Sequence, residues 1–423
     1  MHFFSYKGKK LFAEGVSVER IAAEAGTPVF IYSHKTLTRH LNAFDSAFKE
    51  TPHLICYSVK ANSNIAILKT FVAMGGGFDI VSAGELFRVV KAGGDTKKVV
   101  YSGVGKRADE IAYALKKNIL MFNVESPEEL REINRIAKKL KKTASVAIRI
   151  NPDVDPKTHP YISTGLKKNK FGIETGAAIK EYVYAKENLK NIDLVGVDCH
   201  IGSQITQLSP FMDALRKVKT VVGTLRKEGI PIRYLNMGGG LGITYKDEDA
   251  PHPSKYGEAV IKETKGLGVT LIFEPGRNIT GNAGILVTRV VYTKKSAGKN
   301  FIITDAAMND LARPALYGAY HAIKPVIVTN APEIIADVVG PICESGDFFA
   351  KDREIPSVEK GELLAIMSAG AYGFSMSSNY NSRPRAAEVI VKGNKFFTVR
   401  KRETLQDVVK GELLPKGLFK KGK

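Results

Sequence analysis

Leu54-Ile55-Cys56-Tyr57-Ser58-Val59-Lys60-Ala61-Asn62 is an apolar run that turns polar at a lysine. Its aromatic and β-branched residues favour a strand, and Lys-Ala-Asn marks where the chain leaves that strand for a loop. Taken alone, a lysine there reads as a solvated charge. At a cavity mouth lined by low-dielectric walls, burial would instead favour its neutral amine, which can form an imine with an aldehyde. Which reading holds depends on what the rest of the chain brings to the same end of the same sheet.

From about residue 28 to 275, short β-rich runs alternate with longer helical patterns, which is the grammar of βαβ units and a parallel sheet. Beginning with the run that ends at Lys60, the expected strands are 54–59, 77–81, 99–102, 120–124, 145–150, 194–199, 233–237 and 270–273. Between them, segments such as Ser126-Pro127-Glu128-Glu129 offer a capping serine, a first-turn proline and acids that complement the helix dipole. Eight strands with helical connections make an α/β protein with a (β/α)8 barrel of TIM type over residues 28–280. Val29-Phe30-Ile31-Tyr32 is left as a lead-in strand. Beyond residue 280 the runs become short and alternating, as in Ala387-Glu388-Val389-Ile390-Val391, and read as an antiparallel β-barrel or sandwich over 281–423. Residues 1–27 are expected to join that β domain.

Composition narrows the class. The chain has 423 residues, 44% hydrophobic and 25% charged, in the range of a soluble enzyme, and no apolar run reaches the length of a membrane span. The first ten residues lack a signal-peptide pattern, so a cytoplasmic location is expected. Cys56, Cys199 and Cys343 are too widely spaced for a metal pair or a disulfide framework. The net charge of +20 is spread along the chain without a basic stripe interleaved with aromatics, so it reads as a solvated surface and not as nucleic-acid binding.

In a barrel of this kind the working groups lie at the carboxyl ends of the strands, and phosphate sits on the loops after the last two. His200-Ile201-Gly202-Ser203-Gln204 follows the sixth strand, Gly238-Gly239-Gly240 the seventh, and Glu274-Pro275-Gly276-Arg277 the eighth. Consecutive glycines expose backbone amides that suit a phosphate. A histidine ending a strand can stack on an aromatic cofactor. A carboxylate facing a pyridine nitrogen favours its protonated form and makes pyridoxal phosphate a strong electron sink.

Together with Cys343-Glu344-Ser345-Gly346-Asp347, Ala371-Tyr372-Gly373 and Asn381-Ser382-Arg383-Pro384-Arg385-Ala386, these motifs resemble the alanine-racemase-fold, pyridoxal 5'-phosphate-dependent decarboxylases over most of the chain. Within that group they are most similar to the bacterial diaminopimelate decarboxylase family. The resemblance implies that Lys60 carries the cofactor as an imine, that His200 stacks on its ring and that Glu274 pairs with its nitrogen. It implies that Gly239, Gly240, Gly276 and Arg277 lie at the cofactor phosphate, with Tyr372 contacting phosphate or substrate. Arg277, Arg313 and Tyr317 would bind the far end of the substrate. Cys343 and Glu344 would reach the site of the partner subunit, so the enzyme would work as a homodimer, with Cys343 or Lys60 returning a proton to the α-carbon. The implied reaction is decarboxylation of meso-2,6-diaminopimelate to L-lysine, the last step of lysine biosynthesis.

The residues support that substrate on chemical grounds too. Its non-reacting end carries a carboxylate and an ammonium, for which Arg277 with Arg313, and Glu344, are the matching charges. A decarboxylase of the same fold acting on ornithine, arginine or carboxynorspermidine is the near alternative, and a non-catalytic pyridoxal phosphate carrier the distant one. Ornithine has no second carboxylate to occupy two arginines, and carrier proteins resemble the barrel alone. The stretch His159-Pro160-Tyr161-Ile162-Ser163-Thr164-Gly165 also resembles a family loop near the active site.

Overall fold

The computed structural model describes residues 2–155, 170–415 and 418. The resembled loop at 159–165 lies outside them.

Eight parallel strands close on themselves: β1 (His53–Ser58), β2 (Gly77–Ile80), β3 (Val99–Tyr101), β4 (Met121–Val124), β5 (Ala144–Asn151), β6 (Ile192–Asp198), β7 (Tyr234–Asn236) and β8 (Thr270–Phe273). Each pairs in parallel with the next, and β8 returns to β1 through Leu271 with His53, Ile272 with Leu54 and Phe273 with Ile55. These are the expected barrel strands, within a residue or two at each end. The helices start where their caps predict: Ser126 Oγ accepts from Glu129 N–H at 3.2 Å, with Pro127 in the first turn.

The lead-in strand goes elsewhere. Val29–Ser33 runs antiparallel to Gly284–Val287 and parallel to Ala387–Val391, inside the second sheet. Its pleat explains this: Val29 and Ile31 face the core beneath the N-terminal hairpin, while Phe30 and Tyr32 face the core shared with the barrel. A strand buried on both faces reads as a continuous apolar run, so its sequence alone does not say which sheet it joins. The following helix, His34–Ser46, does pack on the barrel, between the helix before β8 and the helix after β1.

The second sheet is mixed. Its path is Phe348–Pro356, Glu333–Val339, Lys299–Thr304, Gly284–Ser296, Val29–Ser33, Ala387–Lys392, Lys395–Arg400, mostly antiparallel with two parallel pairings. The N-terminal hairpin, Phe4–Lys7 with Lys10–Ala13, packs on it and donates Leu11 N–H to Val326 O at 2.8 Å. Glu388, fully buried on Ala387–Lys392, ties sheet to barrel by accepting from Tyr32 Oη (2.8 Å), Asn64 Nδ2 (2.9 Å) and Arg400 Nε (2.6 Å). That junction fixes the second sheet over the carboxyl rim, where Tyr372 N–H reaches Ala61 O at 2.8 Å, next to Lys60. Among the described residues no helix is long and apolar enough to cross a membrane.

Candidate active site

Lys60 lies in the single turn Val59–Ala61 that follows β1. Its Nζ is 2.6 Å from Asp79 Oδ2, which also accepts from Ser58 Oγ at 2.7 Å. Asp79 lies near the end of β2, is fully buried, and among the described residues has no hydrogen-bond partner on Oδ1. Burial pushes Lys60 towards its neutral form, but Asp79, Tyr372 and Glu274 outweigh it and hold the ammonium above the ordinary lysine range. The expectation that cavity walls alone would neutralise this amine is therefore corrected: a buried carboxylate keeps it charged and aimed into the barrel.

Across the rim, Glu274 leaves β8 and is buried. Its Oε1 accepts from Asn236 Nδ2 (2.6 Å), Asn123 Nδ2 (3.1 Å) and Ser102 Oγ (3.4 Å). Three donors from β7, β4 and the end of β3 thus fix one oxygen, and among the described residues Oε2 accepts from none. Burial first, then Asp79 and Asp198, hold this carboxyl well above the usual carboxylate range. A buried carboxyl crowded by other acids is stable as an anion only opposite a cation, and a protonated pyridine nitrogen is one.

His200 follows β6. Its Nδ1 accepts Gly239 N–H at 3.1 Å, so the ring proton sits on Nε2. Burial, Arg149 and Lys60 hold its pKa well below the ordinary value, so the ring is neutral. Arg149, buried on β5, donates to His200 O at 3.1 Å and pairs with Glu125 at 2.8 Å. The ring lies against the glycine loop: a Cβ on Gly238 would come 2.6 Å from His200 Nδ1, and one on Gly239 2.2 Å from Glu274 O. Gly238 and Gly240 have φ of 63° and 111°, which only glycine takes without strain.

Among the described residues the N–H groups of Gly240, Gly276 and Arg277 donate to nothing in the chain. Unspent amides on two adjoining loops fit the phosphate of pyridoxal phosphate. Gly239 differs from the expectation: its amide is committed to His200, so it contributes room for the loop and not a donor. The residues present suit the cofactor at all three of its handles, aldehyde, ring nitrogen and phosphate.

Beside this site, Gln204, Tyr245, Glu248, Arg277, Arg313 and Tyr317 line a cavity of about 150 Å³. Arg277 donates to Ser203 Oγ (3.3 and 3.0 Å) and Tyr245 Oη (2.8 Å), and lies 4.9 Å from the Tyr372 ring centre. Arg313 Nη1 donates to His321 Nε2 at 2.8 Å, and its guanidinium lies 4.5 Å from the Tyr245 ring centre. Both arginines are buried, and these hydrogen-bond partners are neutral. Burial and then Arg277 lower Arg313 from the ordinary arginine value.

Cys343 and Glu344 are exposed. Cys343 N–H donates to Asn381 Oδ1 at 2.9 Å and Glu344 Oε2 accepts from Tyr380 Oη at 2.7 Å. Neither is hydrogen-bonded to Lys60, His200 or Glu274 of the same chain.

Sequence reading missed Asp79, Asn123, Arg149, Asp198 and Asn236. They share a signal, a polar residue towards the carboxyl end of a mostly apolar barrel strand. On a strand buried on both faces, such a residue must point at a partner or a ligand.

A family model described as "Pyridoxal-dependent decarboxylase, pyridoxal binding domain" matches residues 34–281. The chain is 53% identical to a diaminopimelate decarboxylase of Pseudomonas aeruginosa, over 98% of this chain and 100% of that one. It resembles the diaminopimelate decarboxylase of M. jannaschii in co-complex with L-lysine (TM-score 0.93, 40% identity, 97% of this chain and 98% of that chain). It also resembles that of Helicobacter pylori complexed with L-lysine (TM-score 0.89, 44% identity, 92% of this chain and 98% of that chain). Barrel, rim chemistry and full-length similarity agree: the chain belongs to the diaminopimelate decarboxylase family of pyridoxal-dependent decarboxylases.

Proposed function

We propose that this enzyme decarboxylates meso-2,6-diaminopimelate to L-lysine and carbon dioxide in the cytoplasm, the last step of lysine biosynthesis. The observation that carries the substrate choice is the pair of buried guanidiniums, Arg277 and Arg313, whose hydrogen-bond partners among the described residues are neutral. A second carboxylate supplies the missing charge, and ornithine has none.

Lys60, Glu274, His200 and the amides of Gly240, Gly276 and Arg277 would hold pyridoxal phosphate, which when bound supplies an electron sink for the carbanion left as carboxylate departs. The chain's own residues do the rest. Lys60 must lose a proton before its amine can bond a carbonyl carbon, and Asp79 at 2.6 Å holds that amine in place at the rim. Neutral His200 offers a flat face and adds no charge. Glu274 would favour the protonated form of a pyridine nitrogen placed opposite it. Arg277, Arg313, Tyr317 and Tyr372 would bind and orient the substrate. The exposed pair Cys343 and Glu344 suits a homodimer in which the partner subunit's Glu344 meets the far ammonium and the partner subunit's Cys343, or Lys60, returns the proton.

Carbon dioxide release from purified protein with pyridoxal phosphate tests the reaction. Release from meso-diaminopimelate is expected at least about 10³-fold faster than from ornithine or arginine, because those leave the buried arginines unmatched. Comparable rates with ornithine would overturn the substrate assignment.

A shared site makes a separate prediction. Lys60→Ala and Cys343→Ala homodimers should each be weak, whereas a remixed one-to-one population should recover about a quarter of wild-type activity, because half the dimers then hold one intact site. No recovery after subunit exchange, with exchange verified by tagged copies, would place Cys343 outside the partner's chemistry.

A further inference from the structure

The cavity that holds Arg277 and Arg313 poses a physical problem. An arginine side chain is long and flexible, and recognition of a carboxylate by its planar guanidinium fork requires the plane to be fixed beforehand. An acidic partner would fix it but would also neutralise the charge the substrate needs. Arg313 has a different partner. His321 is fully buried, with Nδ1 2.7 Å from Met367 O and Nε2 2.8 Å from Arg313 Nη1. A carbonyl oxygen and a guanidinium leave one arrangement open: Nδ1–H donates to Met367 O and Nε2 accepts from Arg313.

The imidazole is held at its other side as well. Its ring meets the Tyr245 ring edge-on at 5.4 Å between centres, and its backbone oxygen accepts from Arg353 Nη1 at 2.9 Å. Burial and the charge of Arg313 lower the His321 pKa to about 3, so the ring is neutral at any working pH. It does not line the cavity, whereas Arg313 does. The histidine is thus an uncharged relay that connects a strand-end carbonyl to the back of a guanidinium whose front faces the cavity.

We propose that His321 is a positioning residue for substrate selectivity: by accepting from Arg313 without an opposing charge, it aims that guanidinium at the non-reacting carboxylate of the substrate and leaves its charge to be matched there. The proposal rests on the assignment of Arg277 and Arg313 to that carboxylate, and the test separates the two.

Loss of carbon dioxide from one end of diaminopimelate leaves the carboxylate of the other end on lysine. L-Lysine and 1,5-diaminopentane therefore form a pair of inhibitors that differ only in that group. Asn and Gln in place of His321 divide its two bonds: Asn reaches Met367 O from the position of Nδ1, and Gln presents an acceptor near the position of Nε2.

With holoenzyme, His321→Asn is expected to raise the inhibition constant of lysine and the KM of diaminopimelate about 10- to 100-fold, with kcat changed less than about threefold and diaminopentane inhibition unchanged. His321→Gln is expected to keep most of the lysine preference. Equal weakening of both inhibitors in both variants would mean a merely structural role and would overturn the proposal. Unchanged inhibition by both ligands in His321→Asn would overturn it as well. Arg313→Ala is the control for the underlying reading. If it abolishes the lysine preference while His321→Asn does not, His321 alone is misassigned; if it leaves that preference intact, the carboxylate assignment of Arg313 is what falls.

Discussion

Lys60→Ala is expected to lower kcat/KM for diaminopimelate by about 10³- to 10⁴-fold, the largest effect of any single replacement in the site. The amine is hydrogen-bonded to a buried carboxylate at the rim, and alanine removes both the nucleophile and the cation paired with Asp79. Borohydride reduction of wild-type holoenzyme should fix a pyridoxyl group on the peptide that contains Lys60, and the variant should yield none. Because Asp79 would be left buried with only Ser58 donating to it, the variant is also expected to be less stable, so unfolding must be followed beside activity. Partial recovery with added methylamine would show that the loss is of the amine and not of the fold. Turnover within tenfold of wild type would remove Lys60 from the centre of the chemistry.

The barrel was legible because its grammar is local. Each strand is a short apolar run, several helices start at a recognisable cap such as Ser126 with Pro127, and the order of elements then admits few topologies. The rim motifs were legible because glycines, a terminal histidine and a terminal glutamate sit in sequence where the strands end. What remained hidden depends on contacts between segments distant in sequence. Val29–Ser33 carries no mark of the sheet it joins, since its partners lie some 250 and 360 positions further along the chain. The donors on Glu274 come from Ser102, Asn123 and Asn236, at the ends of β3, β4 and β7, distant in sequence though convergent in space.

The charge state of Lys60 depends on a distant segment in the same way. Burial, which its strand-end position suggested, acts in the expected direction; Asp79, contributed by the next strand, reverses the outcome. An isolated acid in Gly77-Phe78-Asp79-Ile80 is the signal that was available, since an aspartate on a fully buried strand needs a cation or a set of donors. His321 lies further from legibility, because its significance arises from Arg313 on one side and Met367 on the other, with neither contact marked by spacing.

Glu274→Gln is expected to lower kcat by about 10²- to 10³-fold while the affinity for pyridoxal phosphate changes much less. Glutamine is the informative replacement because of how the carboxylate is held. Its Oε1 can still accept from Asn236, Asn123 and Ser102, so the side chain keeps its place. What changes is the second position, where an amide N–H₂ replaces Oε2 and can no longer accept a proton from a pyridinium. Alanine would confuse the result, because it strands the Asn236 and Asn123 donors inside the barrel and adds the cost of two unmet hydrogen bonds to the loss of the charge. The two replacements should therefore separate: Gln losing turnover with stability near wild type, Ala losing turnover and stability together. A glutamine variant that retains kcat within about threefold would mean that charge at this position is not what stabilises the carbanion, and the burden would shift to Lys60 and the phosphate loop. If kcat falls as expected, the three donors on Oε1 acquire a function of their own. They hold one oxygen so that the other, left without a partner, faces the site where positive charge must be kept.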